Sequence, residues 1–246
     1  MLKCWILESL VAVLEKIKLI IDSERFVNVK NPFGEKSQDY VCAGTYEFDA
    51  GNIYGIVSEH GGGGEAISLL MSGESTLKNE QIIVDNRIIH SMADLGWYMG
   101  KRIYTQSIIK REYSMKKALE LAIKQYHRFG NIDDIVKKFD LSPNKLNYSF
   151  SNNCEWEMWR VSLALGYACK KKIFCFPWMN TLEFYDCMYN SSVFRFFKLL
   201  KKEGIIMILP TSRVENVEGV VDNIIKIHNP RFEHIISDSK YFKDYF

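Results

Sequence analysis

Apolar positions change period along the chain, and each change marks a predicted element. Between Cys4 and Ile21 they fall at 6, 10, 13, 14, 17, 20 and 21, with Glu8, Glu15, Lys16 and Lys18 between them. That spacing predicts an amphipathic N-terminal helix over 1–22, packed on the chain's own core or docked on a partner or membrane surface. Four charges in this stretch exclude a membrane-spanning helix. Phe26–Val29 and Asp39–Phe48 are rich in β-branched and aromatic residues, and Asn31, Pro32 and Gly34 punctuate them, so both read as short strands. Asn52–Val57 reads as a buried strand. It leads through Gly61–Gly64 into an apolar helical run to Met71, which Gly73 caps, and Gln81–Asp85 is a further strand.

The helical period dominates next. Apolar residues at 115, 118, 119, 122 and 123 predict a helix from Ser114 to Tyr126, and Ile132, Ile135, Val136 and Phe139 predict a second. A third covers Glu155 to Ala168. Lys172–Phe176 then reads as a strand, a helix runs on to Lys202, Gly204–Leu209 is a central strand, Val214–Val221 is helical, and Ile224–Ile227 is a last strand. Strands alternating with helices predict an α/β fold with a mostly parallel central sheet and helices on both faces. The helix-only block interrupts that alternation. The expected division of 1–246 is therefore a single domain, with the N-terminal helix over 1–22, an α/β core from 23–99 and 169–246, and a helical lobe over 100–168.

Composition narrows the function classes. Of 246 residues, 47% are hydrophobic and 13% aromatic, enough for a buried core. A net charge of +2 gives no basic stripe, so no nucleic-acid partner is expected. The six cysteines lack zinc-knuckle spacing and the five histidines do not flank them, so no metal site is expected and a reduced, cytosolic chain is. No segment has the layout of a secretory signal. Trp156, Trp159 and Trp178 read as core or interface rings before a stacking platform. Glu155 and Glu157 lie two apart and cannot share a helix face as a carboxylate pair.

The glycine run carries the candidate chemistry. A glycine-rich turn between a buried strand and a helix cradles phosphate, because glycine lets the amides turn inward and the helix N-terminus adds its dipole. The bland alternative is a tight turn and nothing more. The nineteen residues from Gly55 to Gly73 resemble, without a gap, the Walker A segment of ABC ATPases. Glu59, Gly61, Gly63, the flanking Tyr54–Val57 and the closing Ser72 and Gly73 match. Glu47–Val57 resembles the strand and turn before such a loop, Gln81–Asn86 the strand after its helix, and Asp94–Met99 the approach to the Q-loop. Arg160–Phe176 resembles the signature helix entering the Walker B strand, and Gly204–Asn229 the H-loop strand and its sequel. The chain is thus identified as resembling the ATP-binding subunit of an ABC transporter over roughly residues 26–230, with that family's P-loop NTPase-like fold, antiparallel β lobe and helical lobe.

The resemblance also implies what is missing. Ser58 stands at the first loop glycine, Gly64 at the phosphate-binding lysine, Glu65 at the magnesium hydroxyl and Ala66 at the following threonine. Gly100 stands at the Q-loop glutamine, Pro177 at the metal-binding aspartate, Trp178 at the catalytic glutamate and Ser212 at the H-loop histidine. Phe33 holds the place where the family stacks a ring on adenine. The signature serine and glycines fall on Cys154, Glu155 and Trp156, or on Phe150–Asn153. A lysine at the loop would give a charge-assisted hydrogen bond worth roughly 1.5–3 kcal/mol. Gly64 supplies nothing in its place, and the Glu65 carboxylate repels phosphate. Proline and tryptophan neither hold magnesium nor activate water.

A degenerate, non-hydrolysing subunit with a structural or regulatory role follows, with no catalytic residue and no cofactor expected. Gly61, Gly62, Gly63 and Gly64 keep backbone amides, which leaves weak ATP–Mg binding open. The partners implied are a membrane-spanning transporter subunit, docked on the helical lobe, and a second ABC ATPase subunit in a homo- or heterodimer. The place implied is cytoplasmic, peripheral at the membrane. Two alternatives stay open: an active ATPase subunit using an unusual residue such as Lys101, and a soluble immunity or regulatory protein that keeps the fold.

Overall fold

The computed structural model describes residues 14–30, 36–75, 80–105 and 110–228. Its first element is a strand, β1 (Lys16–Ile21), where a helix was expected; the rest of that expected helix, 1–13, lies outside the described residues. Period two fits this segment as well as period 3.6 does. Ile17, Leu19 and Ile21 point into the core while Lys16 and Lys18 reach outward to Glu47. β1 pairs antiparallel with β4 (Gly44–Asp49) and with β6 (Glu80–Val84), which pairs in turn with β7 (Arg87–Ile89). This is the antiparallel sheet, in the order β4-β1-β6-β7.

The predicted strand over 39–48 is two strands. β2 (Arg25–Lys30) and β3 (Lys36–Val41) form their own antiparallel hairpin, and the chain breaks before β4.

β5 (Ile53–Val57), β8 (Gly96–Tyr98), β9 (Ile173–Cys175), β10 (Ile206–Thr211) and β11 (Asn223–Lys226) make a parallel sheet ordered β11-β5-β10-β9-β8. Its central strand β10 is buried along its whole length, as expected for a sheet covered on both faces. Met207, Leu209, Phe174 and Phe176 face one hydrophobic cluster. Ile206, Ile208, Ile173 and Cys175 face the other, which α1 (Gly64–Ser72) and the antiparallel sheet complete. Fully burying each such side chain is worth about 1.5–3 kcal/mol.

The first cluster also holds α2 (Met115–Tyr126), α3 (Ile132–Lys138) and α4 (Glu155–Ala168), close to their predicted spans. The long helix expected after β9 is broken instead. α5 (Thr181–Tyr185) starts on a capping box between Asn180 and Glu183, then passes into a π-turn over Asp186–Asn190. Ser192, at φ 59°, takes a left-handed conformation that ends the turn before α6 (Phe197–Lys202). The helix expected over 214–221 is the single turn α7 (Val214–Val217). Among the described residues no helix is long and apolar enough to cross a membrane.

Candidate functional site

The glycine loop leaves β5, beside the central strand β10, and enters α1. Gly61 and Gly63 have φ of 79° and 109°, values open to glycine and strained for other residues. Gly63 is the N-cap of α1 and has no side chain to satisfy the first amides of that helix. The missing acceptor comes from β3. Asp39, 2% exposed, receives the Gly63 N–H on one carboxylate oxygen at 2.7 Å and the Ala66 N–H on the other at 2.7 Å. Tyr40 lies against the same loop: its N–H donates to the Gly61 carbonyl at 3.0 Å. A Cβ at Gly63 would stand 2.7 Å from the Tyr40 carbonyl oxygen, so only glycine lets strand and loop approach this closely.

The positions around the loop form a second network. Glu65 is 7% exposed and accepts hydrogen bonds from the Tyr98 hydroxyl and the Trp178 backbone N–H. The Trp178 indole N–H donates to the Ser58 carbonyl at 3.0 Å, and its ring meets His60 edge-to-face at 4.9 Å. A Cβ at Gly64 would lie 2.7 Å from Ser58 Oγ, 3.1 Å from Pro210 Cβ and 3.4 Å from the Trp178 ring. Trp178 thus lies beside the position from which a loop lysine would extend.

Burial sets the electrostatics. It pushes the Glu65 carboxyl up to about 7, against the pull of its two hydrogen bonds, and Asp39 raises it further. Burial likewise raises Asp39, opposed by the Ala66, Gly63 and Tyr40 amides. Desolvation, with Glu65 adding to it, drives the Tyr98 hydroxyl well above its ordinary range.

Ser58, Gly61 to Gly64, Glu65, Ala66 and Trp178 therefore come together. Pro177 is buried at the end of β9, and Ser212 follows β10, its N–H donating to the Met179 carbonyl at 3.3 Å. Gly100, at φ 80°, donates its N–H to Ser162 Oγ at 2.7 Å, which joins the end of β8 to α4. Cys154 is the N-cap of α4, without a side-chain cap. Phe33 lies outside the described residues. Trp159 is a core residue, whereas Trp156 is 39% exposed with Arg160 over its ring. Lys101 pairs with Glu74, past the C-terminal end of α1. The nine-residue helix puts that pair roughly 13 Å from the loop, at 1.5 Å rise per residue.

Sequence reasoning missed Asp39 and Tyr98. Asp39 lay inside a predicted strand, and its only signal was a carboxylate at a position that a two-residue period turns inward.

A five-stranded parallel sheet with a glycine loop between a central strand and a helix, flanked by an antiparallel sheet, defines an α/β P-loop NTPase fold. Solved ATP-binding cassettes share it. cbiO1 from Clostridium perfringens, part of the ABC transporter complex cbiONQ, superposes with a TM-score of 0.58 at 14% identity over 87% of this chain and 85% of that one. A dimeric ATP-binding cassette in a post-hydrolysis state with ADP and Pi gives 0.60 at 12% identity, over 86% and 94%. A nucleotide-free ATP-binding cassette from an ABC transporter gives 0.56 at 12%, over 94% and 99%. No family model and no curated protein matches the sequence. The chain has the ABC ATPase fold.

Proposed function

We propose that this chain is a non-hydrolysing ABC-type subunit with a structural or regulatory role in a transporter complex. The observation that carries the reading is the Glu65 carboxylate, which receives hydrogen bonds from Trp178 and Tyr98. By the resemblance, Glu65 stands at the magnesium hydroxyl and Trp178 at the catalytic glutamate. These residues do not fit a magnesium–nucleotide complex. The Glu65 carboxyl opposes phosphate when ionised, Ser58 Oγ crowds the place of the lysine at 2.7 Å, and the indole offers no base. No step of phosphoryl transfer is derived for them.

A groove of about 630 Å³ beside Trp97 of β8, mostly apolar but with Lys124 and Gln125 in its lining, supports the partner side of the reading. Trp97, Ile103, Tyr113, Leu121, Tyr126 and Leu165 line it, between α2 and α4. Its shape and chemistry suit an apolar helical turn of a membrane-embedded subunit, held from the cytoplasmic side.

Isothermal titration with MgATP tests the first half: no binding in the micromolar range is expected, and micromolar binding or turnover overturns it. Copurification in detergent tests the second. A membrane protein is expected with the wild type and lost with Leu121→Asp, which changes a residue already 37% exposed. Purification without any membrane protein would favour the soluble regulatory alternative.

A further inference from the structure

We propose that Asp39 is a built-in substitute for phosphate, an anion supplied by the chain itself that occupies the amides of the glycine loop. The proposal rests on reading this loop as a former phosphate site and adds how the site is closed. The first turn of an α-helix presents free amides and the positive end of its dipole, an arrangement that stabilises an anion. Here the two oxygens of one carboxylate divide the Gly63 and Ala66 amides between them at 2.7 Å each, and the Tyr40 N–H adds a third contact at 3.1 Å. The carboxylate arrives on a strand that is itself fastened to the loop through Tyr40 and Gly61. A tethered acceptor has a high effective concentration and competes strongly with a free one.

A second observation points to more than a helix cap. Ser58 Oγ, on a residue 4% exposed at the start of the loop, has no hydrogen-bond partner among the described residues. It stands 2.7 Å from where a Cβ of Gly64 would begin. A buried hydroxyl without a partner costs about 1–3 kcal/mol, so its retention needs a reason. Asp39 takes the Gly63, Ala66 and Tyr40 amides and leaves the Ser58 hydroxyl unmet. A phosphate group has more oxygens and would take the same amides and the Ser58 hydroxyl together. The loop therefore has one more donor than its internal anion satisfies. With Asp39 in place, its geometry does not depend on nucleotide concentration.

The test uses inorganic pyrophosphate without magnesium or adenine, at about pH 6, where Glu65 is largely protonated and repels least. Asp39→Ala is expected to lower the Tm by about 3–6 °C. It is also expected to bind pyrophosphate at least about tenfold more tightly than the wild type, with the Tm recovering as the anion is added. Ser58→Ala in that background should weaken the new binding. Equal pyrophosphate affinity in wild type and Asp39→Ala overturns the proposal. If Asp39→Ala does not fold, Asp39→Asn is read by amide hydrogen exchange. The Gly63 and Ala66 amides, slow in the ligand-free wild type, should exchange about tenfold faster and slow again with pyrophosphate. Unchanged exchange in Asp39→Asn overturns it. Equal pyrophosphate affinity would leave the non-hydrolysing reading standing, whereas MgATP turnover by the wild type would overturn both, so the two failures are distinguishable.

Discussion

Glu65 sits in the first turn of α1, where a negative charge is favoured by the helix dipole, yet burial raises its pKa from 4.5 to about 7. The folded chain therefore holds this proton more tightly than the unfolded chain does. The contribution to stability is complete below about pH 4.5 and is lost as pH rises through about 7. The full difference corresponds to roughly 3 kcal/mol. Asp39, also raised by burial, acts in the same direction. Urea denaturation of wild type and Glu65→Gln across that window isolates Glu65: the wild type should lose stability with rising pH faster than the variant. Parallel curves would place the titration elsewhere. Restoring the family residue at the neighbouring position should fail. Gly64→Lys brings a Cβ to 2.7 Å from Ser58 Oγ and 3.1 Å from Pro210. The expected cost is about 1–3 kcal/mol by chemical denaturation, with no ATPase activity gained.

At the scale of elements, α4 is tied to the segment after α3 by a buried charge. Glu157 is fully buried and accepts from the Ser142 N–H at 2.7 Å and from Arg160 Nη2 at 2.9 Å. Arg160 also donates to the Asp140 carbonyl at 2.6 Å. Arg160→Met keeps the apolar stem but leaves the carboxylate without its cation, a loss of about 3–5 kcal/mol expected in urea denaturation. A change below about 1 kcal/mol would mean that the serine contacts suffice. The pair stands three residues apart on one helix and was open to sequence reading; its burial was not. The same limit runs through the fold. β5, α1, β9, β10 and the helices α2, α3 and α4 were legible because their apolar periods are long or their flanks carry glycine. β1 was misread because isoleucines at 17, 20 and 21 satisfy a helical face, while the strand uses 17, 19 and 21. Only pairing with β4 and β6 decides between the two periods. At the site, the replaced positions could be read by alignment with the loop. Asp39 could not, because its contact spans 24 residues to Gly63 and depends on how the hairpin lies over the loop.

For the whole molecule, the two hydrophobic clusters meet across the parallel sheet, and the glycine loop leaves that sheet between its two layers. Asp39 and Tyr40 come from the hairpin, Tyr98 from the edge strand and Trp178 from the end of β9, so three segments converge on the N-terminus of α1. This convergence is internal to the chain. A nucleotide that bound here would have to displace Asp39 from the loop amides and part Glu65 from its two donors. Ligand linkage makes the expectation quantitative. At a nucleotide concentration 100 times its Kd, a ligand bound only by the folded form adds about 2.7 kcal/mol. In a chain of this size that raises the Tm by about 5–10 °C. Thermal unfolding with and without about 5 mM MgATP, run beside sedimentation velocity, should give a Tm shift below about 1 °C and an unchanged sedimentation coefficient. A shift of several degrees, or association on adding MgATP, would mean that the hairpin yields to nucleotide and that the self-contained arrangement is one of two states.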